Sequence, residues 1–175
     1  MALTIPPGVD ALGRRNFIFV PTDTLSVAVL TGSTAVDLTC YMTKGTAGFT
    51  SDTQRGTDER ECTLVAAEVM GNTTYGMNDL EYVWEPQDLT GTSATNKALN
   101  LLGPRSGGAT GFIVVRYGIL QDTALAAGQK VDKFPVTLGP QLPKSIDGSN
   151  PAEKLKITQS VVINQGAVFN VALVA

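Results

Sequence analysis

The stretch from Gly111 to Gly139, GFIVVRYGILQDTALAAGQKVDKFPVTLG, constrains the fold more than any other segment of the chain. Two runs rich in β-branched and aromatic residues, Phe112 to Ile119 and Val131 to Leu138, flank a connection of small residues. This is the pattern of a β-hairpin with a long loop, because such side chains suit a pleated, half-buried surface. Nothing in the segment is arranged as a reaction centre. The chain also has no histidine, so the usual general base near neutral pH is missing, and with it nearly all imidazole-based zinc sites. A structural or assembly role is the reading these two facts favour.

A length of 175 residues suits one well-cored domain spanning 1–175. Hydrophobic residues make up 43% and charged residues 17%. That balance places the chain among folded proteins, and its charged share falls below the usual quarter or so. Surface hidden in an assembly would account for the deficit. The net charge of -3 conceals an asymmetry. Residues 1–90 hold twelve acids against five bases, whereas residues 91–175 hold four acids against eight bases. Halves of opposite sign help copies of one chain dock head to tail; the alternative is that the charges simply mix on one folded surface.

Cys40 and Cys62 are too few for a disulfide framework and match no zinc pattern, so both read as buried small apolar residues. No basic-then-apolar leader is visible at the N-terminus, and no apolar run reaches the length of a membrane span.

Along the chain, residues 1–13 carry tandem prolines and a glycine and read as an extended arm. Phe17 to Val20 reads as a short strand near an edge or a turn. In Ala35 to Tyr41, Val36, Leu38 and Cys40 alternate with Asp37 and Thr39, predicting a half-buried strand. Residues 44–60, KGTAGFTSDTQRGTDER, lack apolar periodicity and read as a long loop, of a length that is usually functional; Phe49 within it is the residue expected to order against a partner. Cys62 to Met70 and Met77 to Trp84 read as strands joined by a GNTTYG turn. SATNKALNLLG predicts one helix, stopped by Gly103 and Pro104 and capped by Thr92 or Ser93. GPQLPKSIDGSNPAEK reads as a second loop, and Leu155 to Asn164 with Ala167 to Val174 as a terminal hairpin around Gln165 and Gly166. Eight or so short strands with one helix give an all-β sandwich or barrel with a flanking helix.

Chemistry is sparse. Asp58, Glu59 and Glu61 cluster at a loop boundary, where such runs are usually solvated surface. Asp79 and Glu81 share one strand face, either a wet sheet surface or an acidic wall. Gly103 to Gly111 is glycine-rich but lacks the Gly-Lys-Ser/Thr of a phosphate loop. Arg14 with Arg15, and Lys154 with Lys156, are basic spots without interleaved aromatics, a weak basis for nucleic-acid recognition. No enzyme activity, metal or cofactor is expected.

The ordered succession DLTCYMTKGTAGFTSDTQRGTDEREC, LEYVWEP, ATNKALNLL and GFIVVRYGILQDTALAAGQKVDKFPVTLG resembles the major tail tube proteins of long-tailed, non-contractile bacteriophages, especially those of actinobacteria. The likeness runs from about Val36 to Gly139, and no single motif in it is diagnostic. It implies a β-sandwich or barrel subunit assembled as hexameric rings that stack around a DNA-sized channel in the virion tail. It also implies assembly in the host bacterial cytoplasm and, as partners, other copies of the chain, a tape measure protein and tail-end proteins.

On that basis the 44–60 loop becomes the inter-ring contact, with Lys44, Phe49, Asp52, Arg55, Asp58, Glu59 and Arg60 as candidates, and the 1–13 arm a second one. Cys62 to Met70, Met77 to Trp84, Phe112 to Ile119 and Val131 to Leu138 become the tube wall. A conduit must not hold DNA, so carboxylates facing the channel repel phosphates; Asp79 and Glu81 lead that set, followed by Glu68 and Asp132. The resemblance also implies basic residues at the turn, where this chain has Asn72, Thr73 and Thr74. Another virion component, a tail terminator or head decoration protein, is the main rival, and a carbohydrate-binding β-sandwich is a more distant one.

Overall fold

A run such as Asn16 to Val20, apolar at four successive positions, is stable only where both strand faces are covered. In the computed structural model, which describes residues 13–43, 45–58, 67–88, 96–146, 149–150 and 152–175, that is its situation. β1 (Arg15–Val20) lies between β2 (Val36–Asp37) and β6 (Thr110–Tyr117). Phe17 and Phe19 enter the main core, while Ile18 and Val20 enter a second cluster with Leu30, Ala35 and Val114 on the opposite face.

Seven strands form one curled sheet in the order β2, β1, β6, β7 (Lys130–Pro143), β8 (Lys156–Ile163) and β5 (Leu80–Val83), with β9 (Val168–Ala172) also paired to β7. The fold is all-β, as the sequence implies. The hairpin read from residues 111–139 is present as antiparallel β6 and β7, with Ile113 opposite Phe134 and Val115 opposite Asp132. Inward residues Ile113, Val115, Phe134, Val136, Leu138, Ile157 and Val161 pack with Leu80, Tyr82 and Leu102. α1 (Val27–Leu30) is a single turn absent from the sequence reading, and the Ser26 hydroxyl caps it by accepting from the Val29 N–H.

α2 (Lys97–Leu101) is the expected helix, shortened. Thr92 and Ser93, expected as its cap, lie outside the described residues. Asn96 occupies the cap position, but its side chain is committed to the Glu85 backbone, accepting from N–H and donating to C=O.

Several element readings are corrected. Residues 44–60 are not a loop throughout, because Phe49–Asp58 is β3, paired antiparallel with β4 (Ala67–Met77) in a separate two-stranded sheet. GNTTYG is not a turn: Gly71 and Gly76 lie inside β4, and neither adopts a positive φ. A Cβ at Gly76 would stand 2.7 Å from the Thr50 hydroxyl, so close cross-strand approach is what this glycine permits.

The strand expected over 35–41 shrinks to Val36–Asp37, after which Tyr41 and Met42 N–H groups both bond the Leu38 carbonyl. That turn carries Cys40 outward, so it is exposed and not buried. Cys62 lies outside the described residues. Strand Met77 to Trp84 is interrupted at Asn78 and Asp79, leaving β5.

Residues 139–143, read as loop, prolong β7 past a bulge between Leu138 and Gln141. The terminal hairpin is also corrected. β8 and β9 do not pair with each other; they follow in line along the same edge of β7, β8 against 136–143 and β9 against 130–133. Pro135 sits at the break, where its carbonyl accepts from the Asn164 N–H. Lacking an N–H of its own, it forfeits no ladder bond there.

Candidate assembly surfaces

β3 and β4 form an arm that the sheet holds only by its root. Phe49 stacks on Phe134 with ring centroids 4.2 Å apart and lies 6.0 Å from Phe17. Tyr75 meets Phe169 at 5.5 Å, and Met77 is buried in the main core. Phe49 is therefore an anchor of the arm to its own body. Beyond the root, the arm is mostly polar, with Val69 and Met70 as exposed apolar side chains. Thr53 and Thr73 share a 3.0 Å hydroxyl bond, and Arg55 meets Glu68 at 3.7 Å with both side chains largely exposed. Asp52 is exposed, and Asp58 ends β3. Lys44, Glu59 and Arg60 lie outside the described residues, as do residues 1–12 of the N-terminal arm.

The four channel candidates are not gathered on one face. Asp79, in the link between β4 and β5, and Glu81, on β5, both line a shallow open groove with Thr46, Met77 and Asn78. Glu81 is paired with Lys144. Glu68 stands on the arm opposite Arg55. Asp132, on β7, accepts a 2.8 Å bond from the N–H of Asn170, whose backbone has a φ of 55°, a conformation that needs such support in a residue with a Cβ. Asn72, Thr73 and Thr74 are mid-strand.

Two buried polar networks escaped the sequence reading. Arg116, at 1% exposure, donates to Asn16 Oδ1 at 2.8 and 3.2 Å, to Gln129 Oε1 at 3.0 Å, and to the carbonyls of Leu120, Thr123 and Ala124 at 3.1, 2.7 and 3.3 Å. One guanidinium on β6 thus fastens the long β6–β7 loop back onto β1. Burial lowers its pKa, and Asp37 opposes the shift. An arginine closing the apolar run FIVVR was the available signal.

Around Gln159, the Tyr82 hydroxyl donates to Oε1 at 3.0 Å while Nε2 donates to the carbonyls of Leu102 and Gly139. Gln141 donates to the Leu99 carbonyl. These amides satisfy carbonyls at the end of α2 that the helix itself leaves open. Desolvation pushes the Tyr82 phenol well above its usual pKa.

Among the described residues no group of three or more His, Cys, Asp or Glu side chains is placed to hold a metal, and no helix is long and apolar enough to cross a membrane. The most exposed feature is a ribbon anchored by aromatics on a cross-braced sheet. No curated protein matches the sequence. The phage tail tube protein family matches it over residues 3–175, nearly its whole length, and the chain belongs to that family of structural virion proteins.

Proposed function

We propose that copies of this chain close into hexameric rings, and that the rings stack into the tail tube through which DNA passes during ejection into the host bacterium. The arm is the observation that carries this reading. A lone two-stranded ribbon is marginal in water, and the open backbone edges of β3 and β4 are templates for another chain. In a stacked tube they meet neighbouring copies, with Asp52, Arg55 and Asp58 joined by Lys44, Glu59 and Arg60 at the ring-to-ring contact. The tube belongs to a long-tailed virion, is assembled in the host cytoplasm, encloses a tape measure protein and is closed by tail-end proteins. DNA passes without specific binding. Asp79 is the leading channel carboxylate, since Glu81 and Glu68 each face a cation and Asp132 holds a backbone N–H.

Negative-stain electron microscopy of concentrated purified protein tests the reading. Tubes with a regular axial repeat are expected. A monodisperse monomer at every concentration would overturn it, and closed single rings or trimers would favour a terminator or decoration protein.

A further inference from the structure

We propose that the 118–129 loop is a clasp coupling the entry to β1 with the exit from β9, and that the buried Arg116 guanidinium is its pin. The loop joins β6 to β7 and carries little packing of its own. Between Gly118 and Gln129 only Ile119, Leu125 and Gln129 are half-buried, and of these only Leu125 packs against an apolar cluster. Hydrogen bonds give the loop its shape. The Gly118 and Gln121 N–H groups donate to the carbonyls of Arg14 and Gly13 at 2.9 and 2.8 Å, and the Gln121 carbonyl accepts from Asn16 Nδ2 at 3.0 Å. At its far end, the Gly128 N–H donates to the Leu173 carbonyl and the Leu173 N–H to the Gln129 carbonyl, both at 2.9 Å. Leu173 is buried in the second apolar cluster with Ile18 and Val131, and Val174 is bonded in turn to Leu25 and Val27. One loop therefore holds a strand entry and a strand exit at once.

Arg116 makes the two holds a single event. Its guanidinium reaches Asn16 on β1, the carbonyls of Leu120, Thr123 and Ala124 in the middle of the loop, and the Gln129 side chain at the loop's end. Each of these acceptors is an uncharged oxygen, so the buried charge is compensated only while all are in place together. Lifting either half of the loop removes part of that set and leaves the guanidinium dry and short of partners, a costlier state than release of the whole loop into water. Closed and fully open are then the two populated arrangements. Whatever binds or strains one of the two strand ends shifts the same equilibrium at the other, by an equal free energy in either direction. Gly118 and Gly128 stand at the two hinges, with φ of 79° and 84° and open space where a Cβ would go. A side chain at either position strains the backbone alone.

Native-state hydrogen exchange of the dilute wild-type subunit, read amide by amide by NMR, tests the clasp. After correction for intrinsic rates, Gly118, Gln121, Gly128 and Leu173 are expected to share one protection factor. It should lie about tenfold or more below those of Val83 and Leu138, whose N–H groups bond the Tyr41 and Ala109 carbonyls in the body of the sheet. Gly118→Ala should then lower protection at Gly128 and Leu173 by the same factor as at Gln121, about fivefold or more, and Gly128→Ala should do so at Gly118 and Gln121. Arg116→Lys keeps the charge but loses the fork of donors, and should lower all four together by about tenfold or more. Unchanged protection at Gly128 and Leu173 in Gly118→Ala overturns the coupling. Protection of the four amides equal to that of Val83 and Leu138 overturns it too, since the loop would then open only with the whole fold. An Arg116→Lys effect confined to one end of the loop overturns the pin. If Arg116→Lys misfolds, the two glycine variants decide the proposal.

Discussion

Val114 in the curled sheet sits between Ile18 on β1 and Lys133 on β7, with both sheet faces covered around it. Thr53 in the arm faces Thr73 in a ribbon of two strands whose side chains are mostly exposed. Both segments are antiparallel β-structure, but burial secures the first and only its aromatic root secures the second. The difference separates two duties. The body stores stability in apolar packing and buried polar braces, and the arm, under the proposed function, presents its backbone edges to other copies.

Substitution at Arg116 should sharpen the contrast most. Arg116→Met strips donors from Asn16, Gln129 and three loop carbonyls, and thermal unfolding is expected to show a loss of about 3 kcal/mol or more, since each orphaned buried acceptor costs about 1 to 3 kcal/mol. For a chain of this size that is a fall in melting temperature of roughly 10 °C. Gly111→Ala comes next. Its Cβ would stand 2.6 Å from the Phe19 ring and 2.7 Å from the Val20 carbonyl, and a packed ring and a backbone oxygen yield little; chemical denaturation should report a loss of about 1 to 3 kcal/mol.

Tyr82→Phe should lower stability by about 1 kcal/mol at neutral pH through the lost bond to Gln159. It should also change the alkaline limb. The folded phenol has a raised pKa, so above the unfolded value of about 10 the unfolded chain releases a proton that the folded chain retains. Stability is thus complete below that pH and declines above it, by up to about 1.4 kcal/mol per pH unit for each such group. Denaturant titrations across that range should be shallower in Tyr82→Phe. Tyr117, whose pKa burial and Asp132 also raise, should preserve part of the slope.

Arg55→Ala marks the other end of the scale. Among the described residues it breaks only the exposed contact with Glu68, so monomer stability should shift by no more than about 0.5 kcal/mol, while its effect should appear in the salt dependence of assembly. A large melting shift from Arg55→Ala would break the division between body and arm.

The hairpin of residues 111–139 was legible because Phe112 to Val115 and Val131 to Leu138 carry strand residues with core partners on both sides. The arm was not. Strand recognition depends on one face being apolar, and FTSDTQRGTD has none; its β-branched threonines 50, 53 and 57 were the remaining signal. Gly71 and Gly76 then misled, since a glycine that allows close strand approach looks the same in sequence as one that permits a turn. Asp79 lies outside β5, so strand alternation alone does not set it beside Glu81. Asp79 and Glu81 do share one groove, but the Lys144 partner of Glu81 arrives from 63 residues away, beyond the reach of local pattern.

Composition and alternation determined by themselves that this is an all-β chain, because that property rests on local backbone preference and on the number of apolar residues available for a core, while the ordered succession of segments carried the resemblance to the tail tube family. Only the tertiary structure decided that β8 and β9 share one edge of β7, that Arg116 binds the 118–129 loop from within, and that a polar stretch extends as a ribbon. Each of these depends on which distant groups meet, and pairing energy between distant residues leaves no periodic mark on the sequence.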